Sequence, residues 1–281
     1  MYPATFDYLR PSTIDEAVAM LVKHGDEAKL LAGGHSLIPA MKLRLARPGV
    51  VIDIGQIRAL SDIRDAGGHF AIGAITTHQE IAGSTLLKEK CPLLPETAAH
   101  IGDIQVRNRG TIGGSVAHAD PGADYPTVVT ALGATIVAQG PNGERELAAD
   151  DFFTGVFTTA LQQGELVTAV RVPTGGGAAY QKHRHPASGY AVVGVAVVLR
   201  PEAARIVVGG VTGTPVRATE AEQAMEIGIA PVDEAAIAAV AEKVPAALSW
   251  AVSDTYASGE YRVHLAQVLA KRAIKAALEA A

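Results

Sequence analysis

Two short segments share a chemistry-bearing pattern. "LLAGGHSLIP" (residues 30–39) leaves an apolar run through Gly33-Gly34 and then presents His35 and Ser36. "GTIGGSVAHAD" (residues 110–120) repeats the pattern with Gly113-Gly114 and Ser115, eighty positions later. Glycine permits positive φ and lets a ligand approach the backbone with no Cβ in the way. Successive exposed N–H groups in such a bend form a concave anion site, and a helix that starts there adds its own unpaired donors. His35, Ser36, Thr111 and Ser115 could add side-chain donors. Two such bends facing one another suit a diphosphate. Hydrogen bonds to charged groups contribute roughly 1.5–3 kcal/mol each, so four or five would retain a dinucleotide. Neither segment completes G-x-G-x-x-G, and no Walker A sequence is present. The alternative is a pair of ordinary turns.

Other polar residues invite weaker readings. Arg107 and Arg109 flank Asn108 just before the second bend, where they balance phosphate charge or form a solvated, partner-facing pair. Asp120 and Asp124 have no third ligand at a useful spacing, so Asp120 reads as the cap of a turn or of the following helix. His183 and His185 alternate along a predicted strand and share a face, but zinc needs two more ligands. No Ser-His-Asp or Cys-His order stands out, and we assign no catalytic and no metal-binding residue. Cys91 is the single cysteine. This excludes an internal disulfide, a Cys-rich zinc site or an iron–sulfur cluster within these residues, and Cys91 reads as a packing residue.

The elements that must position these residues belong to a globular chain. Of the 281 residues 48% are apolar and 19% charged, and no apolar run approaches the roughly 18–20 residues of a membrane span. "MYPATFDYLRPST" lacks the pattern of a signal peptide. A net charge of −5 with no dense basic run argues against nucleic acid. Together with the single cysteine, these features point to a reducing, cytoplasmic setting. Thr13 and Glu16 form a capping-box pattern, predicting a helix from near Ser12 to Gly25. "KLLAG", "VVIDI" (50–54) and "HFAIGA" (69–74) predict strands. "TTHQEIAGS" starts a helix capped by Thr76 or Thr77, and residues 91–101 read as helical. "DYPTVVTALG" predicts a buried helix terminated by Gly133. "ATIVAQGPNGERELAA" predicts a hairpin turning at residues 140–143, and "GELVTAVRVP" a strand ending at Pro173. "TGGG" (174–177) marks a boundary between units 1–175 and 176–281. Beyond it "AAYQKHRHP", "YAVVGVAVVLR" and "ARIVVGGVTG" predict an antiparallel meander. Three helices follow: "ATEAEQAMEIG", "PVDEAAIAAVAEKV" and "GEYRVHLAQVLAKRAIKAALEAA". The last places Leu265, Val268, Leu269, Ala273 and Ala276 on one face. Mixed elements, then strands, then helices predict an α+β class in two domains rather than a doubly wound parallel sheet.

"LAGGHSLIPAMKLRLARP" and "VRNRGTIGGSVAHADPGADYP" resemble the two flavin-loop signatures of the FAD-binding medium subunit of molybdenum hydroxylases. This is the family of aerobic carbon monoxide dehydrogenase, xanthine dehydrogenase and related bacterial hydroxylases. The similarity runs from "FDYLRPSTIDEAVAML" through "GELVTAVRVP" and "YQKHRHPASGYAVVGVAVVL" to "EYRVHLAQVLAKRAI", and so covers essentially the whole chain. It implies a two-part FAD-binding domain of the vanillyl-alcohol-oxidase (PCMH) type over 1–175. Over 176–281 it implies a three-stranded antiparallel sheet plus helices. It implies FAD as cofactor, its pyrophosphate held by Ala32, Gly33, Gly34, His35 and Ser36 and by Thr111, Ile112, Gly113, Gly114 and Ser115, with Leu37 a further cofactor-binding position. It also places the side chain of Ile101 by the flavin ring and matches cofactor-binding positions to Asp124, Leu166 and Lys182. Ser115 departs from the asparagine that several carbon monoxide dehydrogenases carry, and a hydroxyl still hydrogen-bonds phosphate.

In that family a large molybdopterin-binding subunit hydroxylates the substrate and a small subunit carries two [2Fe–2S] clusters. The medium subunit receives the electrons on FAD, which accepts a pair and releases it singly or together. A chain with one cysteine fits a role in which electrons arrive from another polypeptide. The resemblance thus implies an obligate heterotrimer, doubled into a heterohexamer, with quinone, NAD⁺ or O₂ as external acceptor. A quinone link would bring the complex, not a span of this chain, to the inner membrane. Carbon monoxide is the first expectation for substrate, with aldehydes, xanthine-like purines and other N-heterocycles behind. Two rivals stand beside this: a self-contained flavin reductase or oxidase, and a colourless non-redox binding protein.

Overall fold

The computed structural model describes residues 1–225 and 233–281. The predicted end of one helix ("EIG") and the start of the next ("PV") touch residues 226–232 and lie outside that set. Strands β1 (Asp7–Leu9), β2 (Ala28–Leu31) and β3 (Val50–Asp53) form a parallel sheet in the order β1-β3-β2. Helix α1 (Ile14–His24) packs on it because Ala17 and Val18 face Ile52 in a shared core. Its start is the predicted one: Thr13 accepts from the Glu16 amide, and Glu16 accepts from the amide and hydroxyl of Ser12. Helix α2 (Leu37–Lys42) follows the first glycine bend.

The second layer is a five-stranded antiparallel sheet. It is built from β4 (Ile63–Asp65), β5 (His69–Gly73), β6 (Thr135–Gly140) and β7 (Gly143–Ala148), with the hairpin β8 (Phe153–Gly155) and β9 (Thr158–Thr159) outside it, and β10 (Leu166–Pro173), in the order β4-β5-β10-β6-β7. Between β5 and β6 run α3 (His78–Gly83), α4 (Thr85–Lys90), α5 (Leu93–His100), α6 (Ile104–Arg107), α7 (Ile112–His118) and α8 (Asp124–Ala131). A short α9 (Ala149–Phe152) follows β7. Thr77 and Glu80 complete a reciprocal capping box at α3. All eight positions of α8 are buried. Buried Thr130 and Asp124 are tolerated there because they are paired: Thr130 donates to Pro126 O, and Asp124 accepts from Tyr180 and Lys182. Val128 and Val129 share one core with Ile136 of the second sheet and with Ala196, Val198 and Val207 of the third.

The third layer contains β11 (Gly177–Arg184), β12 (Ala191–Arg200), β13 (Ala203–Gly209) and β14 (Val216–Arg217), in that order and antiparallel. The meander is therefore four strands, not three: β14 pairs Arg217 and Val216 with Val207 and Val208. Strand β12 is buried on both faces. Ala196 and Val198 join the core of α8, while Val193, Val195 and Val197 join that of the terminal helix. Helices α10 (Thr219–Ala224), α11 (Glu234–Ala241) and α12 (Gly259–Glu279) close the fold. The buried face of α12 is rotated from the predicted one. It runs through Arg262, Ala266, Leu269, Ala270, Ala273, Ile274 and Ala277, and leaves Leu265, Val268 and Ala276 half-buried beside it. Small alanines let the helix approach β11 and β12 closely, and Arg262 is tolerated because it donates to the carbonyls of Val192 and Gly210.

Candidate functional site

The two glycine segments meet. A Cβ built on Gly33 would overlap the carbonyl oxygen of Arg109 and lie 2.9 Å from Gly110 Cα, so Gly33 is required for close approach of backbone to backbone. Gly34 has φ +81°, the left-handed region that glycine favours. Both segments line a single cleft of about 760 Å³, within the range of a cofactor pocket.

The sequence predicts two similar bends; the structure makes them different. In the first, the amides of residues 33–37 donate to no protein acceptor among the described residues, leaving a row of free donors. The second is a helix start rather than an open bend. Thr111 caps α7 by accepting from the Gly114 amide at 3.1 Å. Ile112 donates to Thr76 O, Gly113 to Ala74 O at 2.9 Å and Ser115 to Thr111 O. A Cβ on Gly113 would come within 2.5 Å of Ala74 Cβ, so this glycine serves packing of α7 against the end of β5. The second segment offers the cleft its Thr111 and Ser115 hydroxyls more than its amides.

Of the expected positions, Ala32, Gly33, Gly34, His35, Ser36, Leu37, Ile101, Thr111, Gly113, Gly114, Ser115, Asp124 and Leu166 line this cleft. Ile112 and Lys182 do not. Ile112 is fully buried in the core beneath α7. Lys182 sits behind the wall, where its Nζ donates to Asp124 Oδ2 at 2.9 Å, both side chains 5% exposed. The Tyr180 hydroxyl donates to Asp124 Oδ1 at 2.7 Å. Burial pushes the Asp124 carboxyl up; Lys182 and the two hydrogen bonds oppose it. Arg107 Nη1 donates to the carbonyls of Ala99 and Ile101 at 3.3 and 3.1 Å, closing the end of α5 and fixing the backbone of Ile101. Arg109 contributes its carbonyl to the glycine contact. Asp120 accepts from the Gly122 amide at 2.9 Å, the expected turn. His183 and His185 are packed by the rings of Tyr261 and Tyr256.

Three aromatic features of the cleft escape the sequence pattern. His78 is 5% exposed, its Nδ1 has no partner among the described residues, and its ring lies 5.3 Å from Tyr125. Burial first, then the charges of His35 and Arg107, lower its pKa to about 4, so it is neutral. Tyr190 reaches the cleft from the turn before β12. Burial, then Asp120 and Asp124, raise its hydroxyl pKa, with Ser36 opposing. Phe157, held at φ +53° on the tip of the β8–β9 hairpin, stands 4.9 Å from His118, and both line the cleft. The stretch before Tyr190 ("ASG") marks only a turn ahead of a strand, so nothing local in sequence identified the tyrosine as a cleft residue.

Residues 4–175 match the family model described as the FAD binding domain in molybdopterin dehydrogenase, and residues 178–277 match that of the CO dehydrogenase flavoprotein C-terminal domain. The chain belongs to the FAD-binding medium-chain family of molybdenum hydroxylases. Within that family it is 42% identical to the carbon monoxide dehydrogenase medium chain of Afipia carboxidovorans, over 99% of this chain and 98% of the relative. It is 38% identical to the glyceraldehyde dehydrogenase medium chain of Sulfolobus acidocaldarius, over 98% and 99%. A chain in the crystal structure of cyanide-inactivated Cu,Mo-CO dehydrogenase superimposes with a TM-score of 0.95 at 41% identity, covering 100% of both chains.

FAD, the family's cofactor, fits what these residues offer. A diphosphate needs many donors and room at the backbone, and residues 33–37 offer free amides beside glycines whose added Cβ would collide with their surroundings. Among the described residues no helix is long and apolar enough to cross a membrane.

Proposed function

We propose that this chain is the electron-transfer subunit of a heterotrimeric molybdenum hydroxylase of the carbon monoxide dehydrogenase type. It takes electrons from [2Fe–2S] clusters of a small subunit, which a large molybdopterin subunit has reduced, and passes them to an external acceptor. Residues 1–175 form an FAD-binding domain of the vanillyl-alcohol-oxidase type, and residues 176–281 a second domain that covers it. The observation that carries this reading is the contact of Gly33 with the Arg109–Gly110 backbone, which joins two distant segments over one cleft lined with free amides. The row at residues 33–37 binds the pyrophosphate, with Thr111 and Ser115 donating from the opposite side. Bound flavin supplies the ability to accept two electrons together and release them one at a time. The chain's own part would be to hold it through these donors, with Ile101, Leu166 and Asp124, which line the same cleft, as further residues against it. Identity to carbon monoxide dehydrogenase medium chains supports carbon monoxide as substrate of the complex. An aldehyde or an N-heterocycle is the alternative, given the glyceraldehyde and nicotine enzymes among the relatives.

Isolation of the native complex tests this. The expected result is co-purification with an iron–sulfur and a molybdopterin subunit, a flavin spectrum, and dye reduction with carbon monoxide in preference to aldehydes and purines. A colourless chain, or one that turns over alone, refutes it.

A further inference from the structure

One face of β11 carries Tyr180, Lys182 and Arg184 at alternate positions, and all three reach the cleft wall. Arg184 Nη2 donates to Gly102 O at 3.1 Å. Lys182 Nζ donates to Asp124 Oδ2 and lies 3.5 Å from His100 O. The Tyr180 hydroxyl donates to Asp124 Oδ1 at 2.7 Å. Each oxygen of the Asp124 carboxylate thus has its own donor. One ammonium alone would leave the carboxylate free to turn, because that terminal torsion is broad; a second donor on the other oxygen fixes its plane. The space for the hydroxyl comes from the next strand. A Cβ on Gly194 would overlap the Tyr180 hydroxyl and lie 2.9 Å from its Cε2. Gly194 interrupts a strand otherwise rich in valine and alanine, where glycine weakens the strand and marks a close approach.

We propose that Tyr180 is a positioning residue for the cofactor site: its hydroxyl, seated in the gap left by Gly194, orients the Asp124 carboxylate so that its remaining lone pairs face the cleft. This rests on the cleft being the FAD site.

The test uses flavin-depleted protein titrated with FAD, read by flavin fluorescence and by the visible circular dichroism of the bound flavin. Tyr180→Phe removes one oxygen and keeps the ring; it raises the dissociation constant about tenfold, the effect of one hydrogen bond to a charged group, and alters the dichroism. Gly194→Ala pushes the same hydroxyl off Asp124 and does likewise. The double variant binds no more weakly than the weaker single, because both changes remove one contact. Val193→Ala, a truncation in the neighbouring core, lowers the melting temperature and leaves the dissociation constant unchanged. Wild-type binding with both singles inside twofold and unaltered dichroism overturns the proposal, as do effects that multiply. Absence of FAD binding by the wild-type protein overturns the functional reading itself.

Discussion

Replacing Gly33 with alanine drives a methyl group into the other glycine segment. The new Cβ overlaps the Arg109 carbonyl oxygen and lies 2.7 Å from its carbon and 2.9 Å from Gly110 Cα. These are backbone atoms with no rotamer to escape into, so the segments must separate. Overpacking of this kind costs about 1–3 kcal/mol of stability. The larger effect falls on the cofactor. Separation draws the amides of residues 33–37 away from the Thr111 and Ser115 hydroxyls. Loss of two charge-assisted hydrogen bonds, at about 1.5 kcal/mol each, weakens FAD binding by about 3 kcal/mol, or roughly 150-fold. Fluorescence titration of flavin-depleted protein measures this, with a urea melt alongside for the stability cost. Gly83→Ala is the control. No atom lies within 4 Å of its Cβ, and at the end of α3 alanine is the better helix former by up to about 1 kcal/mol, so FAD binding stays at the wild-type value. Binding of FAD by Gly33→Ala within threefold of wild type, with the melt showing the strain, would mean that the two segments do not serve one ligand.

Three further outcomes are expected. His78 is buried neutral, its pKa lowered from 6.5 to about 4. Its contribution is complete above pH 6.5 and is lost as pH falls toward 4, a total of about 3 kcal/mol; urea midpoints compared at pH 7 and 4.5 fall less for His78→Leu than for wild type. Lys182→Met strands the Asp124 carboxylate in the interior and costs about 3–5 kcal/mol at pH 8, with a smaller penalty in acid, where Asp124 takes up a proton; a pH series of chemical melts checks both. The Cys91 thiol is buried and pushed up to about 11, so a thiol reagent at pH 8 labels the native protein slowly and the urea-unfolded chain at once.

Local signals carried much of the chain. The cap at Thr13, the Gly133 stop and the hairpin at 140–143 are decided by neighbours in sequence and read true, and of the two caps offered at Thr76 and Thr77 the structure uses Thr77. What failed depends on contacts between distant residues. A helix containing Gly113-Gly114 reads as a turn because each glycine costs about 1 kcal/mol in a helix; tight packing of Gly113 on Ala74 overrides that preference. The expected face of α12 shares Leu269 and Ala273 with the buried one but is centred too far toward Leu265 and Val268, because large apolar residues outweigh alanine in a periodicity count, while here a row of alanines lets the helix lie close on two strands. Arg107 read either as a balance for phosphate charge or as a solvated, partner-facing residue, and its bonds to the carbonyls of Ala99 and Ile101 depend on a fold that neither reading contained. Lys182 was matched by a single position, and only the ion pair with Asp124 explains why it stands behind the cleft rather than in it.

Helix α8 belongs to the first half of the chain, where α5 and α7 pack against it, yet it also lies on β12 and β13 of the third sheet. The seam between the halves therefore does not run where the chain is most glycine-rich. A chimaera spliced at residue 175, with the terminal third taken from a relative, would set a foreign strand pair against the native residues 124–131. Such grafts would need to carry that octet along with the transplanted piece, making it the true unit of exchange between members of the family.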